Sequence, residues 1–142
     1  MAAGYLNDTC VVSEATKPQP DQAVVRWMDS VDESRMFIST LTIGELLKGI
    51  SLMDSSPRKL AIQGWFERSL PRRFERRIIP VDSKVAETWG LITADLRAKG
   101  ITIGVVDALI AATALTHGLT VVTRNVREFQ HTAARILNPW DL

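Results

Sequence analysis

Apolar residues along the chain fall into short runs, separated by stretches in which they recur every three or four positions. The runs Tyr5-Leu6, Met36 to Ser39, Ile78 to Val81 and Leu119 to Thr123 predict strands. A fifth, around Arg135 to Leu137, precedes Asn138-Pro139-Trp140. Between them lie helical spacings. Val24, Val25, Trp27, Met28 and Val31 follow Asp21, an N-cap residue type, and Ile43, Leu46, Leu47 and Ile50 mark a second helix. Pro57 opens a third, running through Leu60, Ile62, Trp65 and Phe66. Val85, Trp89, Ile92 and Leu96 mark a fourth, closed by Lys99-Gly100, and a fifth runs from Ile103 to a stop at His117-Gly118. Strands alternating with helices imply parallel pairing and right-handed crossovers. The expected architecture is a three-layer α/β/α domain with a central, mostly parallel sheet. At 142 residues the chain fits a single domain, 1–142.

Composition narrows the function. Lys and Arg number 17 against 16 Asp and Glu, a formal charge of +1, which argues against holding nucleic acid by a broad basic surface. One cysteine, Cys10, excludes a disulfide framework, and no paired Cys or His has zinc-finger spacing. The opening MAAGYLNDT lacks the basic and apolar regions of a secretory signal, and no apolar stretch is long enough to span a bilayer. A cytoplasmic protein with no membrane association is therefore expected.

In open parallel sheets, ligands sit at the carboxyl ends of the strands. Asp8 follows the first strand and Asn125 follows the Leu119 to Thr123 strand by two residues, so both face one edge if those strands are neighbours. Asp107 lies in a helix whose other residues from Ile103 to Leu115, Gly104 and Thr113 apart, are apolar. A carboxylate there costs several kcal/mol of desolvation unless a positive partner compensates. A metal ion would do so; the simpler alternative is a first-turn Asp satisfied by backbone amides. Glu45 also has a structural alternative, since Thr42-Ile43-Gly44-Glu45 matches a capping box. Asp8 could likewise cap the turn after its strand. Carboxylates that cluster repel one another and commonly bind a hard cation, for which Mg2+ or Mn2+ suits an all-oxygen set.

Asp8-Thr9, Glu45 within Thr42-Ile43-Gly44-Glu45-Leu46, Asp107 within Val106-Asp107-Ala108-Leu109-Ile110-Ala111-Ala112-Thr113-Ala114, and Thr123-Arg124-Asn125 occur in that order. Val11-Val12-Ser13-Glu14, Lys17-Pro18 and the ending Asn138-Pro139-Trp140-Asp141-Leu142 accompany them. Together they resemble PIN-domain ribonucleases, and more narrowly the VapC or FitB type toxins of bacterial toxin–antitoxin pairs. The resemblance implies an endoribonuclease dependent on Mg2+ or Mn2+, with an RNA substrate, a VapB- or FitA-like antitoxin and a homodimeric assembly. It carries metal binding to Asp8, Glu45 and Asp107, a fourth catalytic position to Asn125, where some members hold Asp, and supporting roles to Thr9 and Thr123. A non-catalytic PIN-fold partner of a DNA-binding antitoxin is the alternative class.

Two residues depart from that pattern. Asn7 stands where the family usually has an apolar residue, and Cys10 where it usually has Asn. Both flank Asp8, so weakened activity is expected. Arg68, Arg72, Arg73, Arg76 and Arg77 form a basic run, from which Arg72, Arg73 and Arg76 are candidate RNA contacts, a solvated face being the ordinary reading. Trp27, Trp65, Trp89 and Trp140 read as core or interface residues, and His117 as a helix-terminal residue with no catalytic task.

Overall fold

Five strands organise the chain in the computed structural model, which describes residues 4–142. They are β1 (Tyr5–Asn7), β2 (Met36–Ser39), β3 (Ile78–Ile79), β4 (Thr120–Val122) and β5 (Ile136–Leu137), in the sheet order β3-β2-β1-β4-β5. Every neighbouring pair is parallel, with Tyr5 opposite both Met36 and Thr120, Ile38 opposite Ile78, and Val121 opposite Ile136. The five predicted strands all form. The third stops at Ile79 rather than Val81, because Pro80 has no amide to give to a neighbouring strand.

Helices α1 (Thr9–Glu14) and α2 (Gln22–Ser30) connect β1 to β2. From β2 to β3 run α3 (Thr40–Ser51), α4 (Pro57–Gly64) and α5 (Leu70–Arg73), with a π-helical turn over Trp65–Ser69 before α5. Helices α6 (Ser83–Ala98) and α7 (Val105–His117) lead to β4, and α8 (Val126–Phe129) to β5. The punctuation is chemical. Asp21 accepts the amides of Ala23 and Val24 at the start of α2, and Gly118 ends α7 in the left-handed conformation at φ 65°. Helix α1 is too short to show a periodicity, and the pattern of apolar positions does not reveal it.

Side chains of the strands alternate between two apolar layers. Met36, Ile38 and Val122 join Val11, Val12, Val24, Trp27, Leu46, Leu70 and Phe74 on one face. Leu6, Ile79 and Val121 join Ile110, Ala111, Ala114 and Phe129 on the other. Helices α1 to α5 therefore cover one face and α6 to α8 the other. That segregation follows from right-handed crossovers travelling in opposite directions from β1, first to β2 and later to β4. The carboxyl ends of β1 and β4 lie where the direction reverses, the position at which α/β sheets open a crevice.

Asn7 is an anomaly in this core. It is 1% exposed, and its Nδ2 donates at 3.3 Å to the Phe37 carbonyl and to Met36 Sδ. Its Oδ1 is buried without a partner among the described residues. An orphaned acceptor costs more than the amide's two long bonds return. Asn7→Leu, close in shape, is therefore expected to raise unfolding stability by about 1 kcal/mol in urea titration. A loss of stability would show that the amide is needed at the end of β1.

Candidate active site at the carboxyl edge of the sheet

Asp8 leaves β1 where that strand pairs with β4, its amide bonding to the Val122 carbonyl at 2.9 Å. The two strands are neighbours, as the edge argument required. The Asp8 side chain is 6% exposed. Its Oδ1 accepts the Thr9 amide at 2.9 Å, which makes Asp8 the N-cap of α1. Its Oδ2 accepts the Thr123 hydroxyl at 2.8 Å, from the end of β4. Burial pushes the Asp8 carboxyl above its usual range, the bonds from Thr123 and Thr9 pull it partly back, and the negative charge of Glu45 pushes it up again.

Glu45 reaches the same edge from α3. That helix is capped by Ser39, whose Oγ accepts the Leu41 amide at 3.0 Å, so Glu45 sits nearly a turn beyond the place a capping box requires. Its Oε1 instead accepts the Thr9 hydroxyl at 2.6 Å. Thr9 thus holds both acids, one through its amide and one through its hydroxyl. Thr123 also does two things: it donates to Asp8 and accepts the Asn125 amide at 3.0 Å.

Asp107 occupies the first turn of α7, whose N-cap is Gly104. The middle of that helix is buried as the sequence predicts, but its first turn is open, with Val105 64% exposed. Among the described residues the Asp107 carboxylate accepts no hydrogen bond, so backbone amides do not satisfy it. Desolvation, then the charges of Asp8, Glu128 and Glu45, push its carboxyl up to about 6. Asp107 on α7 therefore feels three other acids, Asp8 at the end of β1, Glu45 on α3 and Glu128 on α8. No three acidic, histidine or cysteine side chains among the described residues stand close enough together to hold a metal ion as they are.

Glu128 is the residue the sequence reading passed over. It follows Asn125 by three positions and lies on α8, so the short helix turns it back toward Asp107. The i,i+3 spacing from Asn125 was the available signal. Asn125 itself is exposed at the N-cap of α8, where its side chain makes no capping bond. Cys10 is half-buried, with its thiol 4.0 Å from Asp8 Oδ2 and 3.7 Å from Thr123 Oγ1, and burial pushes that thiol up.

The arginine run lies elsewhere. Arg77 leads into β3 at the amino end of the sheet, its guanidinium donating to the carbonyls of Glu33, Arg73 and, at 2.8 Å, Met36. Arg73 Nε donates to Glu33 Oε1 at 2.7 Å. Arg72 is exposed on α5, and Arg76 is exposed beside it with φ 64°. Arg72, Arg73 and Arg76 are thus at the opposite end of the strands from Asp8. Tethering the start of β2 is what Arg73 and Arg77 do here. Trp27, Trp65 and Trp140 pack with the first apolar layer, as expected of core residues.

A parallel sheet split at a switch point, with carboxylates from four elements at its carboxyl edge, defines a domain of the PIN type. The PIN domain profile matches residues 5–135, and the chain belongs to that family. It is 36% identical over 135 residues to Toxin FitB of Neisseria gonorrhoeae, covering 95% of this chain and 97% of that protein. It is 33% identical to a VapC ribonuclease of Sinorhizobium fredii, covering 94% and 96% of the two. The crystal structure of FitAcB from Neisseria gonorrhoeae superposes with a TM-score of 0.92 at 36% identity, covering 97% of this chain and 99% of that one.

The electrostatics predict a pH dependence. Asp107 has a folded value of about 6 against an ordinary 3.8, so the folded state holds this proton more tightly than the unfolded chain. In chelator, stability should therefore rise as pH falls from above 6 toward 3.8, opposing the usual acid loss. Asp107→Asn should melt at a higher temperature than the parent at neutral pH and show only the part of that rise that Asp8, also raised, contributes. Parallel melting curves for the two proteins would remove the repulsion from the account.

Proposed function

We propose that the chain is an endoribonuclease toxin, a Mg2+- or Mn2+-dependent hydrolase of RNA phosphodiester bonds, held in check by an antitoxin. The observation that carries it is Asp107, a carboxylate with no hydrogen-bond partner among the described residues, pushed up by desolvation and then by the charges of Asp8, Glu128 and Glu45 at the edge where this fold opens a crevice. The donor set fits a hard dication: all its side chains offer oxygen, their repulsion is what a positive ion relieves, and no imidazole joins them. Asp8, Glu45, Asp107 and Glu128 are the residues that would hold it. Bound there, the ion would supply a water of lowered pKa and neutralise charge on the phosphate.

The chain's own residues do the positioning. Thr123 and the Thr9 amide each take one oxygen of Asp8, which fixes the plane of that carboxylate. The Thr9 hydroxyl fixes Glu45 on the other side. Asp107 stays unbonded and free to turn. Asn125, exposed at the rim, offers an amide where a fourth family acid would add repulsion. The intact set of acids counts against a purely non-catalytic partner. The solved FitAB and VapBC complexes of similar proteins support a VapB- or FitA-like antitoxin as the partner; a homodimer in the cytoplasm is what the family resemblance implies. Among the described residues no helix is long and apolar enough to cross a membrane.

Cleavage of a structured RNA by the purified protein should need added Mg2+ or Mn2+ and stop in EDTA. Asp8→Ala should lower the rate by at least about 100-fold, the scale of losing one preorganised charged group. Activity that survives EDTA or Asp8→Ala would overturn the metal reading. Glu128→Gln should weaken Mg2+ binding in calorimetry by about tenfold, whereas Asn125→Ala should change it less. Cys10→Asn, the family's usual residue, is expected to raise the cleavage rate; an unchanged rate would clear Cys10 of any weakening effect.

A further inference from the structure

Arg124 stands between Thr123, which holds Asp8, and Asn125 at the rim of the same edge. Its backbone amide donates to Cys10 Sγ at 3.5 Å, which fixes the loop against α1. Its side chain is exposed and makes no ion pair among the described residues. Instead its guanidinium carbon lies 4.1 Å from the centre of the Trp140 ring. The guanidinium's charge acts on Cys10 and Glu14, along the flank of α1, whereas the charges acting on Asp107 are all carboxylates.

An exposed arginine ordinarily keeps most of its rotamer freedom, and ordering it on a ligand costs that entropy. Stacking on an aromatic face removes much of the freedom beforehand while leaving the N–H edge open, and that edge matches two phosphate oxygens. Trp140 fits a bracing role better than a purely packing one. Its indole N–H is buried with no partner among the described residues, a cost that Phe or Leu would not incur in the same pocket. Trp is also the strongest cation–π partner.

We infer that Arg124, braced on Trp140, binds a backbone phosphate of RNA next to the one that is cut. This rests on the nuclease reading above. A metal ion held at the acid edge would engage the phosphate to be cut, and the strand continuing past it along α1 would meet this guanidinium. The geometry suits the neighbouring phosphate, because the guanidinium is stacked on Trp140, which packs in the apolar layer that α1 enters, and so lies beside the acid edge rather than among its carboxylates.

Anisotropy of a fluorescein-labelled RNA hairpin with a single-stranded loop, titrated in EDTA over a series of salt concentrations, tests this. Arg124→Gln should bind about tenfold more weakly, with the slope of log affinity against log salt reduced by about 0.7, the value of one single-strand phosphate contact. Arg124→Lys should keep the slope and recover part of the affinity. Trp140→Leu should weaken binding by less than Arg124→Gln and keep the slope. Wild-type affinity and slope in Arg124→Gln would overturn the inference. So would weaker binding with an unchanged slope and a lowered melting temperature, which marks a merely structural stack. Cleavage of the same hairpin with Mg2+ separates the two readings: a wild type that neither binds nor cuts it overturns the nuclease assignment and this inference with it.

Discussion

A carboxylate taken out of water keeps its charge only where protein groups replace its hydration. Asp8, buried where β1 and β4 part, imposes that condition on its neighbours. One oxygen takes the Thr9 amide and so starts α1; the other takes the Thr123 hydroxyl and so needs β4 to end beside it. Helix α1 in turn buries Val11 and Val12 in the first apolar layer. The same side chain therefore caps a helix, ties two strands across the switch point and lines the crevice. Structure and chemistry share one group here, which is why a substitution at Asp8 is expected to report on both.

What Asp8 gains from hydrogen bonds, Asp107 does not. Its carboxyl is pushed up to about 6 by desolvation and by Asp8, Glu128 and Glu45. Like charges gathered without a counter-ion are a standing cost that the rest of the fold must offset. Two apolar layers on opposite faces of the sheet supply the offset. Asn7 adds a second local cost in the adjoining strand, an orphaned amide oxygen that no acid requires. The two are different in kind: a cation relieves the first, and only a change of residue relieves the second. Sites of function tolerate such destabilisation because removing it removes the chemistry, and nothing in that argument protects Asn7.

The strands were legible because alternation between two buried faces leaves continuous apolar runs, and helix ends were legible from Asp21, Lys99-Gly100 and His117-Gly118. Strand order was not, since it depends on how crossovers travel, and the neighbour relation of β1 and β4 came only from the structure. Glu45 shows how a local pattern misleads. Its capping-box spacing is real in the sequence, but Ser39 starts the helix earlier and frees Glu45 for Thr9. Glu128 was hidden for the opposite reason: α8 is too short to announce itself, so its three-residue spacing from Asn125 carried no meaning until the helix was seen. The arginine run was visible as charge, yet charge density along a chain does not say which end of a sheet it occupies.

That last point changes the meaning of a near-neutral chain. The formal +1 resolves into acids at the carboxyl edge and arginines at the amino edge, where Arg73 and Arg77 are engaged with Glu33 and backbone carbonyls. Attraction between that run and a polyanion at the far edge has to act across the sheet, and salt at physiological strength screens charges beyond about 8 Å. Long-range steering by the arginine run is therefore a poor way to bring RNA to this crevice. The edge would instead repel a polyanion until a cation occupies it. A nuclease arranged like this has its binding and its chemistry conditional on the same ion, with only a local cation such as Arg124 to act independently. On that reading metal occupancy would govern whether RNA is cut and would strengthen how it is held, the metal-free edge keeping only the grip that Arg124 supplies.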